Sequence, residues 1–470
     1  TDDVNVVQFA LNPAPISVAD EITDMDLYQD RLIVRHENIA PLTISDMVIY
    51  DNDDDSDLPF TATAGSPDSL TIENGSGLYV WNNKTFAPNG TVTLNGRGST
   101  TADGSLNIGA GATYTSSSTH AITVGGSFYG ETGATFNGAS STVTFAATTT
   151  GQQIGSAASS TFTFYDMAFT GAGGGWAVQT PIVSQTDISV STGTVSGVAD
   201  VTVENGSFSG NGSVAMDGGT VLVERNNTLG GTNSWTFYNL TLGDGVNNDV
   251  TVPGSNATTT VRNQLTIATG HFLDAFGSVW DLQGNGNTFV ENGSFLEGTS
   301  TVRYSGATPN VLRTTYNNLE IDTEGGGTVI ATAPVTGLQV LGDFTLGRYG
   351  TSTFNVNTND PLFAIGGDVY IGTLGTLEAS DTAILDAFGN WDNDGAFNAN
   401  GGTVTLSAAT GSASVAAGAS PFAELTVQGG ADYTFTENAT ATADMLLNTS
   451  GSFTLNPNLT LAVGGEFTNN

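Results

Sequence analysis

Two independent markers recur along this chain, and they keep step with each other. The segment Val203–Phe208 reads VENGSF, and so does Val290–Phe295. A β-branched run of the type TVTF or TVLV starts at Thr142, Thr220, Thr301 and Thr403. A short way downstream of each stands an aromatic with an apolar partner: Phe164/Met167, Phe237/Leu240, Tyr316/Leu319 and Phe422/Leu425. From one echo to the next the threonine and the aromatic advance together, in steps of roughly 75 to 100 residues. A chain that echoes itself on this scale builds a stack in which each unit covers the apolar face of its neighbours.

The local pattern says what is stacked. Runs such as Thr91 to Leu94, Ala121 to Val124 and Thr142 to Phe145 are short, rich in β-branched or aromatic residues, and separated by Gly-Gly, Asn-Gly or Ser-Gly pairs. These are strand and corner signals, and helical periodicity is nearly absent. The spacing of the runs also suits a β-sandwich, but the long-period echo decides for an all-β parallel β-solenoid, with roughly 20 to 30 residues per turn. Inward Val, Ile, Leu and Phe form the core, and Gly and Asn take the left-handed corners. Residues 1–85 do not share the echo. They carry alternating runs at Leu27 to Val34 and Leu42 to Tyr50, punctuated by Pro13, Pro15, Pro41, Pro59 and Pro67. They are expected to form a non-repetitive N-terminal β cap or small β domain, with the solenoid, about four diverged superrepeats, in residues 86–470.

Charge narrows the function classes. The chain holds 46 acidic and 9 basic residues, a formal net charge of −37, and Lys84 is the only lysine. Such a polyanion repels nucleic acid and anionic membrane surfaces. No stretch is long and apolar enough to span a bilayer, so no membrane insertion is expected. There is no cysteine, so stability must come from backbone ladders and a long core. The chain starts at Thr1 without a basic-plus-apolar leader, which reads as a mature exported product.

Candidate sites are few. Asp51, Asp53, Asp55 and Asp57 alternate in the tract DNDDDSD, the ligand spacing of a Ca²⁺ loop but without the Gly and Glu of an EF-hand. Twelve Asn-x-Ser/Thr sequons occur, among them Asn74, Asn205, Asn239, Asn292 and Asn448, which are glycan acceptors if the host modifies its surface. The threonine pairs Thr91/Thr93, Thr142/Thr144 and Thr403/Thr405 put two hydroxyls on one strand face. They stand far apart along the chain rather than in successive turns, and read as ordinary sheet threonines and not as an ice-binding array. The tryptophans, Trp235 and Trp280 above all, read as core fillers and not as sugar platforms. His36, His120 and His271 stand in no catalytic motif, and the arginines are scattered, so no enzyme is expected. At the C-terminus, Val463 to Phe467 (VGGEF) echoes Val124 to Phe128 (VGGSF), the opening of a superrepeat. The last repeat is therefore expected to be left open there, with the strand-like run carrying Val4, Val6 and Phe9 docking beside Val463 and Phe467 of another copy.

The elements STFTFYDM, NSWTFYNLTLGDG, TTYNNLEI, STVRYSG and VGGEFTNN resemble the repeats of long Gly/Thr/Asn-rich surface proteins of environmental bacteria, of the β-helical adhesin and surface-filament type. The resemblance covers residues 86–470 and carries over no catalytic residue. It implies an extracellular or cell-surface β-solenoid. The leading expectation is a structural protein that polymerises head to tail with itself. A monomeric stalk or adhesin module binding surface glycans comes second, and a polysaccharide-active β-helix enzyme third.

Overall fold

The computed structural model describes residues 22–28, 31–36, 42–44, 70–72, 77–80, 82–83, 85–86, 90–96, 103–116, 119–156, 161–254 and 258–470. The protein is all-β, a parallel β-solenoid with no helix among the described residues. It divides into two compact units, Thr1–Phe237 and Tyr238–Asn470.

Strands of mostly three to five residues follow from a period-two pattern whose apolar positions all face one way. In Thr142–Phe145, Val143 and Phe145 are buried while Thr142 and Thr144 are half-exposed. The same alternation repeats in Val92–Leu94, Ile122–Val124 and Asp166–Phe169. A strand this short buries two side chains, about 1.5–3 kcal/mol each, and cannot stand alone. It is held by parallel pairing with the coils on either side.

In the first unit, from Leu70 on, the described coils carry three strands each and so present three faces. On the first face Val92, Ile122, Val143, Met167, Ile188, Phe208 and Leu229 lie directly in register, one from each successive coil. On the second face Leu78, Leu106 and Phe128 stack. On the third face Phe86, Tyr114 and Phe136 form an aromatic column. Parallel pairing also occurs before residue 86, where Leu42–Ile44 pairs with Leu70–Ile72 and that strand with Val92–Leu94. Ile22–Tyr28 and Arg31–His36 form an antiparallel hairpin.

In the second unit the longest column runs through Val302, Leu319, Phe344, Val369, Trp391, Val415, Phe435 and Leu455. A second column begins at Tyr316 and passes through Val340, Ile365, Ala387, Leu406 and Val427. The ten-residue strand Thr258–Ile267 crosses two faces without a corner: its first half pairs with Val279–Leu282 and its second with Phe289–Glu291.

These registers explain the sequence echo. Val143 pairs with Met167, Val302 with Leu319 and Val404 with Leu425. The threonine run and the apolar anchor are thus two successive coils of one face. The accompanying aromatics Phe164, Phe237, Tyr316 and Phe422 are all fully buried. Coil length varies around the stack, so the superrepeat drifts instead of holding one period.

Close approach of coils fixes certain glycines. A Cβ on Gly171 would lie 1.8 Å from the Ala147 carbonyl oxygen of the coil before, which no side chain tolerates. Gly325, by contrast, has only Thr323 Oγ1 at 4.0 Å. Gly171→Ala is therefore expected to lower unfolding free energy by about 1–3 kcal/mol, and Gly325→Ala to change it by less than about 0.5 kcal/mol. Urea denaturation followed by circular dichroism measures both, and equal losses would contradict the packing described.

Candidate functional site

The sequence-derived candidates fall in different places. Asp51, Asp53, Asp55, Asp57, Val4, Val6, Phe9 and Asn74 lie outside the described residues. Val463 ends the strand Leu461–Val463, which pairs with Ala439–Ala441, and Phe467 begins Phe467–Asn469, which pairs with Met445–Leu447. Asn205, Asn292 and Asn448 are exposed. Asn239 is half-buried, and its Oδ1 accepts a 2.6 Å hydrogen bond from Asn263 Nδ2 on the next coil. Trp176, Trp235, Trp280 and Trp391 are completely buried, which leaves none of them as a platform for sugar. No cluster of three or more metal-ligating side chains occurs among the described residues.

Thr93 and Thr144 stand two coils apart on the first face, so the pairs Thr91/Thr93 and Thr142/Thr144 do not fall in successive turns, but Thr123 stands in register between them and the three make one column. The chain separates them because a full coil intervenes, and coil length is not visible in a list of residues.

The acidic residues have a structural use that composition hides. In the second unit the Asp343 amide donates to Asn318 Oδ1 at 2.9 Å. The Asp368 amide donates to Asp343 Oδ1, the Asn390 amide to Asp368 Oδ1 and the Ser414 amide to Asn390 Oδ1, each at 2.8 Å. Each side chain thus caps the corresponding corner one coil on. The preceding glycines make room: a Cβ on Gly342, Gly367 or Gly389 would lie 2.5, 2.4 or 2.5 Å from the very oxygen that accepts the bond. Asp187, Asp200, Asp432 and Asp444 accept the amides of Ser207, Thr220, Ser452 and Glu466 in the same way. At Asp432 the amide of Ser452, followed by its hydroxyl, draws the carboxyl pKa below the ordinary value. The Gly-Asx pairs recurring at coil spacing were the legible signal for this ladder.

Asp322 is the most committed carboxylate. It is completely buried, and Oδ1 accepts the amides of Thr323 and Gly350 at 2.7 and 2.8 Å. Oδ2 accepts those of Arg348 and Tyr349 at 2.8 and 2.9 Å. This ties down the corner that sets Arg348 Cζ 5.1 Å from the centre of the Tyr370 ring. Arg303 is clamped by Glu320 and Glu324 at 2.8 and 2.6 Å.

Two other buried polar groups belong to the core. Tyr304 Oη and Tyr316 Oη lie 2.8 Å apart, with the Leu312 amide donating to the first and the Leu312 carbonyl accepting from the second. Burial pushes the Tyr304 hydroxyl pKa up to about 12, so it stays neutral. His271, completely buried, shares a 2.7 Å hydrogen bond between Nε2 and Thr251 Oγ1, while its Nδ1 has no hydrogen-bond partner. Burial draws its pKa down, opposed by the charges of Asp249 and Asp244.

The Asp322, Arg303, Tyr304, Tyr316 and His271 bonds each run between segments of the stack. Comparison with protein families, curated proteins and solved structures gives no match to this chain.

Asp322→Ala leaves four amides without their acceptor, that of Gly350 buried and the other three partly buried, and is expected to cost about 3 kcal/mol. Asp322→Asn is expected not to rescue it, because its amide group would face N–H donors. Thermal melting of both variants checks this, and a stable Asn variant would refute the double-acceptor role. For His271 the pKa is lower folded than unfolded, so its contribution is complete above the ordinary histidine value of about 6.5 and is lost as pH falls below it. Between pH 7.5 and 5 the wild type is expected to lose more melting temperature than His271→Gln. Asp386 and Asp392, whose pKa values burial raises, act in the opposite direction but equally in both proteins.

Proposed function

We propose that this protein is an extracellular structural protein whose solenoid extends head to tail into a filament. The observation that carries the reading is that the ladder is self-similar, so that the edge of any coil is shaped to receive another. Within the stack an inward residue is covered on both sides, as Met445, Tyr433, Phe435 and Ala441 are. The residues paired with them one coil on, Phe467, Phe453, Leu455 and Val463, are half-buried or, for Phe467, 50% exposed. Core-type side chains on an edge like this one accept a further strand of matching alternation, whichever chain supplies it. The run carrying Val4, Val6 and Phe9 of a second copy has the alternation to supply it. A contact that joins one end of a molecule to the other end of the next does not close on itself and propagates.

Three further features support an extracellular scaffold. No cysteine is present to be oxidised. Asp and Asn side chains support one corner after another, bonding from coil to coil. The Gly/Thr/Asn-rich repeat character is that of surface filaments and adhesins, and a monomeric stalk is the reading that the filament must exclude.

Analytical ultracentrifugation and negative-stain electron microscopy of the purified chain test the proposal. Regular fibres are expected, with Phe467→Asp shifting the population to monomers while leaving melting of the remaining coils unchanged. A wild type that stays monomeric at high concentration overturns the filament in favour of the stalk.

A further inference from the structure

We propose that the third face of the first unit binds ice through a two-column array of threonine hydroxyls. The strands Thr85–Phe86, Thr113–Thr115, Thr135–Asn137 and Phe162–Phe164 occupy four successive coils of that face. Their registers place Thr85, Thr113 and Thr135 in one outward column, and the same register carries it to Thr161. Thr115, Asn137 and Thr163 form a second column two residues along the strands. The array repeats at about 4.8 Å between coils and roughly 6.6 Å along the strand.

Three independent observations separate this array from ordinary sheet threonines. First, its hydroxyls are uncommitted: Thr142 and Thr403 donate to Asp166 and Glu424 at 2.8 Å, whereas no side-chain hydrogen bond among the described residues holds the hydroxyls of Thr85, Thr113, Thr115, Thr135, Thr161 or Thr163. Second, the surroundings are neutral. Over the three coils that carry Thr113, Thr135 and Thr163, from Gly104 to Tyr165, the only Asp, Glu, Lys or Arg is Glu131, in a chain of net charge −37, while Lys84 precedes Thr85 in the array's first coil. Charges organise liquid water around themselves and exclude a neutral solid, so this gap suits an uncharged surface. Third, the floor is rigid. Between the two columns run the buried rings of Phe86, Tyr114 and Phe136, with centroids 5.5 and 5.2 Å apart.

A hydroxyl beside a methyl, repeated in two directions, suits a solid whose own donors and acceptors repeat on the same scale. Water in ice does so, and each threonine hydroxyl both donates and accepts. A crystalline polysaccharide is the competing solid, but it calls for outward aromatic rings, and the outward positions of these strands are threonine and asparagine.

The test is partition of the full chain into slowly grown polycrystalline ice, with recrystallisation inhibition as a second readout. Wild type is expected to concentrate in the ice fraction. Thr135→Lys and, separately, Thr163→Lys are expected to lose about tenfold of that enrichment, the equivalent of about 1.4 kcal/mol, with unchanged melting curves. Thr426→Lys, on the second unit, is expected to retain it. Exclusion of the wild type from ice, full enrichment of both array variants, or binding to crystalline cellulose or chitin without binding to ice would each overturn the proposal. None of these outcomes depends on whether the chain polymerises.

Discussion

Parallel hydrogen bonding between successive coils is the constraint on which everything else in this protein rests. A strand of three or four residues has too little apolar surface to offset the entropy of ordering it. It persists because its amides and carbonyls are shared with the coils on either side and its two inward side chains sit in columns that run through several coils. Since side chains alternate with period two, one-residue slippage anywhere in a ladder would turn the apolar column outward. Register is therefore enforced on each face by the face's own core, as in the unbroken series from Val92 to Leu229. The corners are then free to vary in length, which they do, from the short step between Val302 and Leu319 to the long one between Val92 and Ile122.

The same constraint accounts for much of the chain's chemistry. Many of the described corners leave an amide that no backbone carbonyl satisfies, and a short side chain with an acceptor oxygen one coil back is its partner. Asn and Asp serve equally well as acceptors, as the mixed series Asn318, Asp343, Asp368, Asn390 makes plain. Without a requirement for the amide, carboxylates accumulate. Part of the strong negative charge is thus a consequence of how corners are capped, and need not describe a ligand. Where a carboxylate is indispensable, as at Asp322, the reason is that both of its oxygens receive amides at once.

Fold class was legible because it depends on patterns that survive divergence: the period-two alternation, the glycine-rich corners and the echo of Thr142 with Met167 or Thr403 with Leu425. The structure shows what that echo measured, which is adjacency of coils on one face. What the residues could not reveal was anything that requires the length of each coil. Thr93, Thr123 and Thr144 are each a whole coil apart along the chain and still stand side by side, a column that the pairs Thr91/Thr93 and Thr142/Thr144, two coils apart, could not reveal. The Asx ladder was missed for a related reason. Each acceptor reaches an amide on the next coil, and no local motif marks such a bond except the glycine before it. Asp322 and His271 gave no signal at all, because their roles arise from burial.

A stack of this kind also sorts its surface by position along the chain. Acidic corner residues are frequent in the second unit, whereas the segment from Gly104 to Tyr165 is almost free of charge and is rich in threonine, serine, glycine and alanine. Corners there are closed by Ser105, Ser127 and Gln152, whose hydroxyl and amide groups bond from coil to coil: the Ser127 amide donates to Ser105 Oγ, and Ser127 Oγ to Gln152 Oε1. Neutral capping is thus available throughout this fold, by Asn211, Asn318, Asn390 and Asn438 elsewhere as by serine and glutamine here. Since Asp would satisfy the same corner amides, the capping requirement by itself cannot account for its absence. That absence fits the proposed use of an uncharged face on these coils, where a carboxylate at the corner would stand beside the threonine columns.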